Sequence, residues 1–403
     1  MVNIVLATFT SQISTWYPFS GWIDLAARSF YKDNLSRFHW NLHAGKRASR
    51  FHTVTAQRDS DTYVCSQIND EILNNLSFVY FSVQTNSCLD MERKDAGPDL
   101  KLPLRRYSGL EGLDLQNIEG VNYFKFTLGQ DLKHLLDLVR NLNIRPDDVI
   151  TVGFPRSGNH WTFEMVSMIL SQTTNFEHDH FYSRLIECLG SNVASTVEGI
   201  KSPRNMTTHC RMHHIPEQAI EKRIKLIYVL RNPKDVLVSM YNFVSNLQYE
   251  GSRFTGSWNE FFDLQMRGEF PWGYWFDHVL ATERFQVKHP DSPLFILVYE
   301  KVKEHAVEEI QKLCAFLDMP DVLSEKIAGK TEFSKMKVEL GDTKMAIQSS
   351  NHFRNGPGDI LRKGIVGDWK NWFTVAQNEA FDKLFEEKMS GSKLGDLVRQ
   401  YIK

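Results

Sequence analysis

The feature that most constrains this chain is a short apolar run, Val149–Phe154, that ends at Pro155 and opens into Arg156-Ser157-Gly158. A helical pattern follows, with Trp161, Met165 and Ile169 on one face. An apolar run bounded by turn residues suits a strand buried on both faces. A strand that turns over a glycine straight into a helix leaves several backbone N–H groups unpaired at the positive end of that helix, and such groups cradle phosphate oxygens. The unit recurs. Ile224–Leu230 is a second apolar run, followed by a helix from about Pro233, and Leu294–Tyr299 is a third, followed by a helix through Ile310 and Phe316. Strands alternating with helices predict an α/β fold, a P-loop-like parallel sheet flanked by helices.

The first turn carries its own chemistry. Gly158 allows close backbone approach, and Arg156 adds a charge retained at physiological pH. The spacing Gly153-x4-Gly158 matches the glycines of a nucleoside-triphosphate loop, but the next two residues are Asn159 and His160. A Walker sequence needs Lys for the β/γ-phosphates and then Ser or Thr for Mg²⁺. Kinase or ATPase chemistry is therefore disfavoured. Taken alone, the segment also fits an ordinary βα turn rich in small residues.

Two further cationic clusters follow. Arg231 closes the second strand, and Ser239 lies on the helix after it. In an open α/β sheet, ligands bind beyond the carboxyl ends of the strands. Arg231 and Ser239 can thus address a second phosphate, away from the first. Arg362-Lys363-Gly364, with Gly367 beyond, offers charges and backbone donors from a late loop. The formal net charge is only -2, so no nucleic acid or membrane partner is implied and anion affinity must be local. Three such clusters in one α/β chain imply an anionic ligand with two separated phosphate-like groups.

Together these residues resemble the cytosolic sulfotransferase family. Phe-Pro-Arg-Ser-Gly-Asn-His-Trp at 154–161 resembles its 5′-phosphosulfate loop, Arg231–Ser239 its Arg-Asn-Pro-Lys-Asp-Val-x-Val-Ser segment for the 3′-phosphate, and Arg362–Lys370 its late Arg-Lys-Gly-x-x-Gly-Asp-Trp-Lys signature. The resemblance covers about residues 105–403 and leaves 1–104 as an N-terminal extension outside the sulfotransferase domain. It implies 3′-phosphoadenosine 5′-phosphosulfate (PAPS) as donor and adenosine 3′,5′-bisphosphate as product. The donor-binding residues it implies are Arg156, Ser157, Gly158, Asn159, His160, Trp161, Arg231, Ser239, Arg362, Lys363 and Gly364, with Tyr299, Thr331 and Phe333 at the adenine. Lys370, Thr374, Val375 and Glu379 match a short dimerisation motif, which implies a weak homodimer.

The family's base stands in Ser-Pro-Arg-x-x-Lys-Thr-His, and Ser202–His209 matches it, so His209 is implied as general base beside Arg156. Histidine suits the task because its reference pKa is about 6.5. The family's Lys is Thr207 here. The function implied is sulfuryl transfer to a hydroxyl or amine of a small, largely apolar acceptor. The alternative is a PAPS-binding protein with weak or no turnover. His178, His180, His213 and His214 read as solvated surface residues. The i, i+4 pair His209/His213 lacks an accompanying carboxylate motif, and no metal is expected. Trp258, Phe261, Phe262, Trp272, Tyr274 and Trp275 suit either an acceptor-pocket wall or plain core packing. Five scattered cysteines without C-x-x-C spacing, and no apolar stretch of membrane-spanning length, imply a cytoplasmic protein.

Overall fold

Two neighbouring strands of a parallel sheet, each buried on both faces, organise the larger of two compact units. In the computed structural model these are β7 (Val149–Gly153) and β9 (Lys225–Leu230). The structure describes the backbone of four strands within residues 37–83, residue 110, and residues 113–125, 131–177, 181–248, 251, 253–341 and 361–403. The chain divides into two compact units, Met1–Lys101 and Leu102–Lys403.

In the first unit, β1 (Arg37–Ala44), β2 (His52–Asp59), β3 (Thr62–Ser66) and β4 (Val79–Val83) form an antiparallel sheet ordered β3-β2-β1-β4. Arg37 stands opposite Gln57, and Trp40 opposite Val83. The sequence of Ile72–Val83 suits helix or strand equally, and its last five residues are strand; the rest lies outside the described residues. The proline-bearing stretch around Pro98 and Pro103 also lies outside them.

The second unit opens with a hairpin, β5 (Leu115–Ile118) and β6 (Val121–Phe124). Its parallel sheet is ordered β10-β9-β7-β8, with β8 at Asn205–Thr208 and β10 at Leu294–Val298. Alternate residues of β9 serve two cores. Leu226, Tyr228 and Leu230 enter one cluster, while Ile227 and Val229 enter the other. Burying each such side chain contributes about 1.5–3 kcal/mol. Period-two alternation inside an all-apolar run is what a sheet covered on both faces requires.

The periodic segments fall where their patterns place them, with shifted ends. The third strand stops at Val298, and Tyr299 instead begins a short helix, Tyr299–Glu304, ahead of a separate helix, Ala306–Phe316. The helix Pro233–Asn246 starts where Asn232 accepts from the Lys234 N–H and Pro233 presets the first turn. Strand β8 has no apolar signature, yet all four of its residues are buried. Asn205 donates to the Phe163 carbonyl at 3.0 Å and to Ser167 Oγ at 2.8 Å, and Thr208 donates to Glu187 at 2.8 Å. Just before it, Arg204 is fully buried against the equally buried Asp148 at the start of β7, with Nε donating to Oδ1 at 2.7 Å. Among the described residues, no helix is long and apolar enough to cross a membrane.

Candidate active site

The turn after β7 is shaped by two left-handed residues, Arg156 at φ 70° and Gly158 at φ 106°. Gly158 caps the helix Asn159–Ser171 without a side chain, so by helix geometry its first-turn amides stay available. A methyl group at Gly158 would lie 2.7 Å from the Tyr299 ring, so the turn and that tyrosine are in close contact. Trp161 meets Tyr299 edge to face at 5.3 Å, with Lys303 Nζ 5.6 Å from the tryptophan ring. His160 stacks on Phe181 at 4.5 Å, and its Nε2 lies 3.6 Å from Glu164.

The first and second cationic segments are not held apart. Arg156 Nε donates to Ser239 Oγ at 3.1 Å, and Arg231 donates to the Arg156 carbonyl at 2.9 Å. The reason is topological: β7 and β9 are adjacent and parallel, so both turns leave the same sheet edge. Arg231 also lies over the Tyr299 ring at 4.2 Å. Ser157 Oγ, Arg231 Nε, Trp161 Nε1 and Arg362 Nε are buried and have no hydrogen-bond partner among the described residues. Buried donors in that state suit an anionic ligand bearing several acceptor oxygens.

The late loop reaches the same neighbourhood through a carboxylate. Asp235, four residues beyond Arg231, accepts from Gly367 N at 2.7 Å and from Trp369 N at 3.0 Å. Gly364 has φ 65° and sits so close to Phe333 that an added methyl would fall 2.1 Å from the ring. Arg362 and Lys363 both pair with Asp368, at 2.6 and 2.9 Å. Burial alone would raise the Asp368 carboxyl, but hydrogen bonds from Lys363, Asn371 and Arg362 carry it down to about 2. Thr331 is buried and directs its hydroxyl to the Ile327 carbonyl at 2.8 Å. Burial pushes Glu300 up to about 7, against the opposing Arg231 charge, while its carboxylate accepts from Asn232 N at 2.9 Å.

His209 follows β8 directly. Its Nδ1 lies 2.9 Å from the Gly153 carbonyl oxygen. A carbonyl only accepts, so Nδ1 donates to it, and in the neutral ring Nε2 is then the acceptor. Two residues without any motif signal fix this histidine. Glu187 accepts from His209 N at 2.7 Å as well as from Thr208. His278 stands behind the His209 carbonyl, with Nε2 at 3.2 Å from that oxygen and Nδ1 at 2.8 Å from Tyr228 Oη. Full burial lowers the His278 pKa to about 3, so this ring is neutral, donating to His209 and accepting from Tyr228. Only the contacts made in the fold distinguish these two residues from any other polar side chain. Thr207 and its cross-strand neighbour Thr151 have buried hydroxyls with no partner among the described residues.

Of the seven aromatics from Trp258 to Trp275, Phe261, Phe262, Phe270 and Trp275 are core residues, and Trp258, Trp272 and Tyr274 pack against that core half-buried. Of the histidines read as solvated, His178 and His180 lie outside the described residues, and His213 is exposed. His214 is buried instead, because the 3₁₀ turn Met212–His214 packs inward.

The fold is thus an α/β one, a parallel sheet flanked by helices, with cationic turns and a histidine at the carboxyl ends of neighbouring strands. The chain belongs to the sulfotransferase family: the family model described as "Sulfotransferase domain" matches residues 146–393. It is 33% identical over 288 residues to human sulfotransferase 1E1, spanning 69% of this chain and 94% of that one. It is also 33% identical over 270 residues to sulfotransferase 1B1 of Canis lupus familiaris, spanning 64% and 88%. The crystal structure of mouse sulfotransferase SULT7A1 complexed with PAP is similar, with TM-score 0.60, 30% identity, and coverage of 72% of this chain and 99% of that one.

Proposed function

We propose that this chain transfers a sulfuryl group from PAPS to a hydroxyl or amine of a small, largely apolar acceptor, with His209 as general base. The observation that carries the reading is the Nδ1 to Gly153 contact of 2.9 Å, which leaves Nε2 as the proton acceptor. The donor supplies an electrophilic sulfur when bound. On the protein side, His209 takes the acceptor's proton as the oxygen or nitrogen bonds to sulfur, and the bond to the bridging phosphate oxygen breaks. Arg156 and the amides around Gly158 meet the charge left on that oxygen. Arg231, Ser239 and the Arg362-Lys363-Gly364 segment hold the 3′-phosphate, and Trp161, Tyr299, Thr331 and Phe333 hold the adenine. The buried, unpartnered donors at Ser157, Arg231 and Arg362 support this assignment. So does the SULT7A1 complex, if its ligand PAP is read as adenosine 3′,5′-bisphosphate.

One observation favours a PAPS binder with weak turnover: Thr207 is an uncharged, buried residue where the family pattern has Lys. A transfer assay with sulfur-labelled donor over phenols, alcohols and amines separates the readings. Labelled product is expected, with a loss of about 10²–10⁴ in rate for His209→Gln. Thermal stabilisation by adenosine 3′,5′-bisphosphate, greater than that by Mg²⁺-ATP, is expected in both proteins. Stabilisation without product in the parent chain would establish the binder; an undiminished rate in His209→Gln would remove the base assignment.

A further inference from the structure

Away from the candidate active site, three side chains from two elements converge. Glu119 lies in the tight β5–β6 turn at φ 50°, a left-handed conformation that few side chains other than Asn and Asp adopt readily. His213 and His214 lie on the 3₁₀ turn Met212–His214, only a few residues beyond His209. His213 Nε2 is 3.4 Å from Glu119 Oε2, and His214 Nε2 is 3.5 Å from the same oxygen. All three candidate ligand atoms lie within 4.8 Å of one another.

These separations are too long for well-formed hydrogen bonds, which fall at about 2.7–3.2 Å. They match the spacing of neighbouring ligands around a tetrahedral ion. Nitrogen and oxygen ligands about 2.0–2.2 Å from such a centre stand about 3.3–3.5 Å from each other. The His214 side chain is only 6% exposed, and its Nδ1 has no hydrogen-bond partner among the described residues. The other ring nitrogen, Nε2, is the one that faces Glu119. A neutral imidazole nitrogen offers its lone pair to such an ion. A cavity of about 490 Å³, lined by Ile118, Glu119, Leu136, Asp137 and His214 among others, opens the site to solvent.

We propose that Glu119, His213 and His214 bind one divalent cation of borderline softness, zinc by preference, with water completing the tetrahedron. Two imidazoles and one carboxylate form a donor set of this kind. The ligands are not the His209/His213 pair suggested by sequence spacing; they come from two segments that only folding brings together. The ion would staple the β5–β6 hairpin to the segment that carries His209.

The test uses the full-length chain, stripped with a chelator and equilibrated with zinc. Calorimetry and metal analysis should find one equivalent that raises the thermal midpoint. Glu119→Gln and His213→Gln should each weaken binding by more than about 100-fold, a larger loss than outer-shell changes cause. These exposed residues carry the test because replacing the buried His214 endangers the fold. The substituted proteins should keep the metal-free midpoint and their response to adenosine 3′,5′-bisphosphate. Cobalt in place of zinc should show nitrogen and oxygen ligation. Absence of zinc binding, an affinity in both variants unchanged from that of the parent chain, or a thiolate-to-cobalt band would each overturn the assignment.

Discussion

Thr207 stands two residues before His209, where the family pattern has Lys. Its hydroxyl is buried and unpartnered among the described residues, and it brings no charge. Arg156, anchored on Ser239 and lying 4.5 Å from the Phe243 ring, is a cation of the turn itself. Removing one preorganised electrostatic group costs about 10²–10³ in rate, and restoring one should recover part of that. Thr207→Lys is therefore expected to raise turnover by at least about tenfold, measured under saturating donor. Unchanged turnover would mean that Arg156 and the loop amides already carry the charge of the transferring group. Neither His278 nor Glu187 stands in a recognisable pattern, because their roles depend on partners 69 and 22 residues away in the chain.

Strand β8 explains how an unpromising polar segment comes to position the base. Asn-Met-Thr-Thr shows no apolar run, and no strand is legible there. It is held by its neighbours: parallel pairing places Val149 opposite Asn205 and Val152 opposite Thr208. Arg204 locks its start by donating to Asp148, to the Val197 carbonyl at 3.1 Å and to the Asn143 carbonyl at 2.8 Å. Removing one partner of a buried ion pair costs about 3–5 kcal/mol, since the other charge is left in a low-dielectric site. Arg204→Ala should lose about that much in denaturant unfolding, with impaired activity because His209 follows the strand. A loss under about 1 kcal/mol would show that the pair is dispensable. The helix Pro233–Asn246 is a contrasting case, because Asn232 and Pro233 announce its start in the sequence and Asp235 then docks the late loop onto it.

In the whole molecule, the segments bearing the cations are distant in sequence but tied together by direct contacts, from Arg231 to Arg156 and from Asp235 to Gly367. The candidate dimer motif sits elsewhere. Val375 is 77% exposed at the start of the helix Val375–Met389, which Thr374 and Gln377 cap reciprocally. A large apolar side chain so exposed at a helix start suits a small self-complementary contact. Sedimentation should detect a weak dimer that Val375→Glu abolishes without lowering thermal stability. Identical sedimentation of both proteins would remove the dimer assignment.

Apolar runs, turn residues and caps sufficed to place three of the four parallel strands and the loops that follow them, because those signals act over a few neighbouring residues. The joint pattern of Arg156, Arg231 and Arg362 likewise marked the candidate anion site from sequence alone. Packing alone decided the rest. The polar strand β8, the tautomer of His209, the supports from Glu187 and His278, and the meeting of Glu119 with two histidines all depend on burial and on contacts between distant segments. No local pattern encodes such contacts, since each partner is an unremarkable polar residue until the fold removes its water.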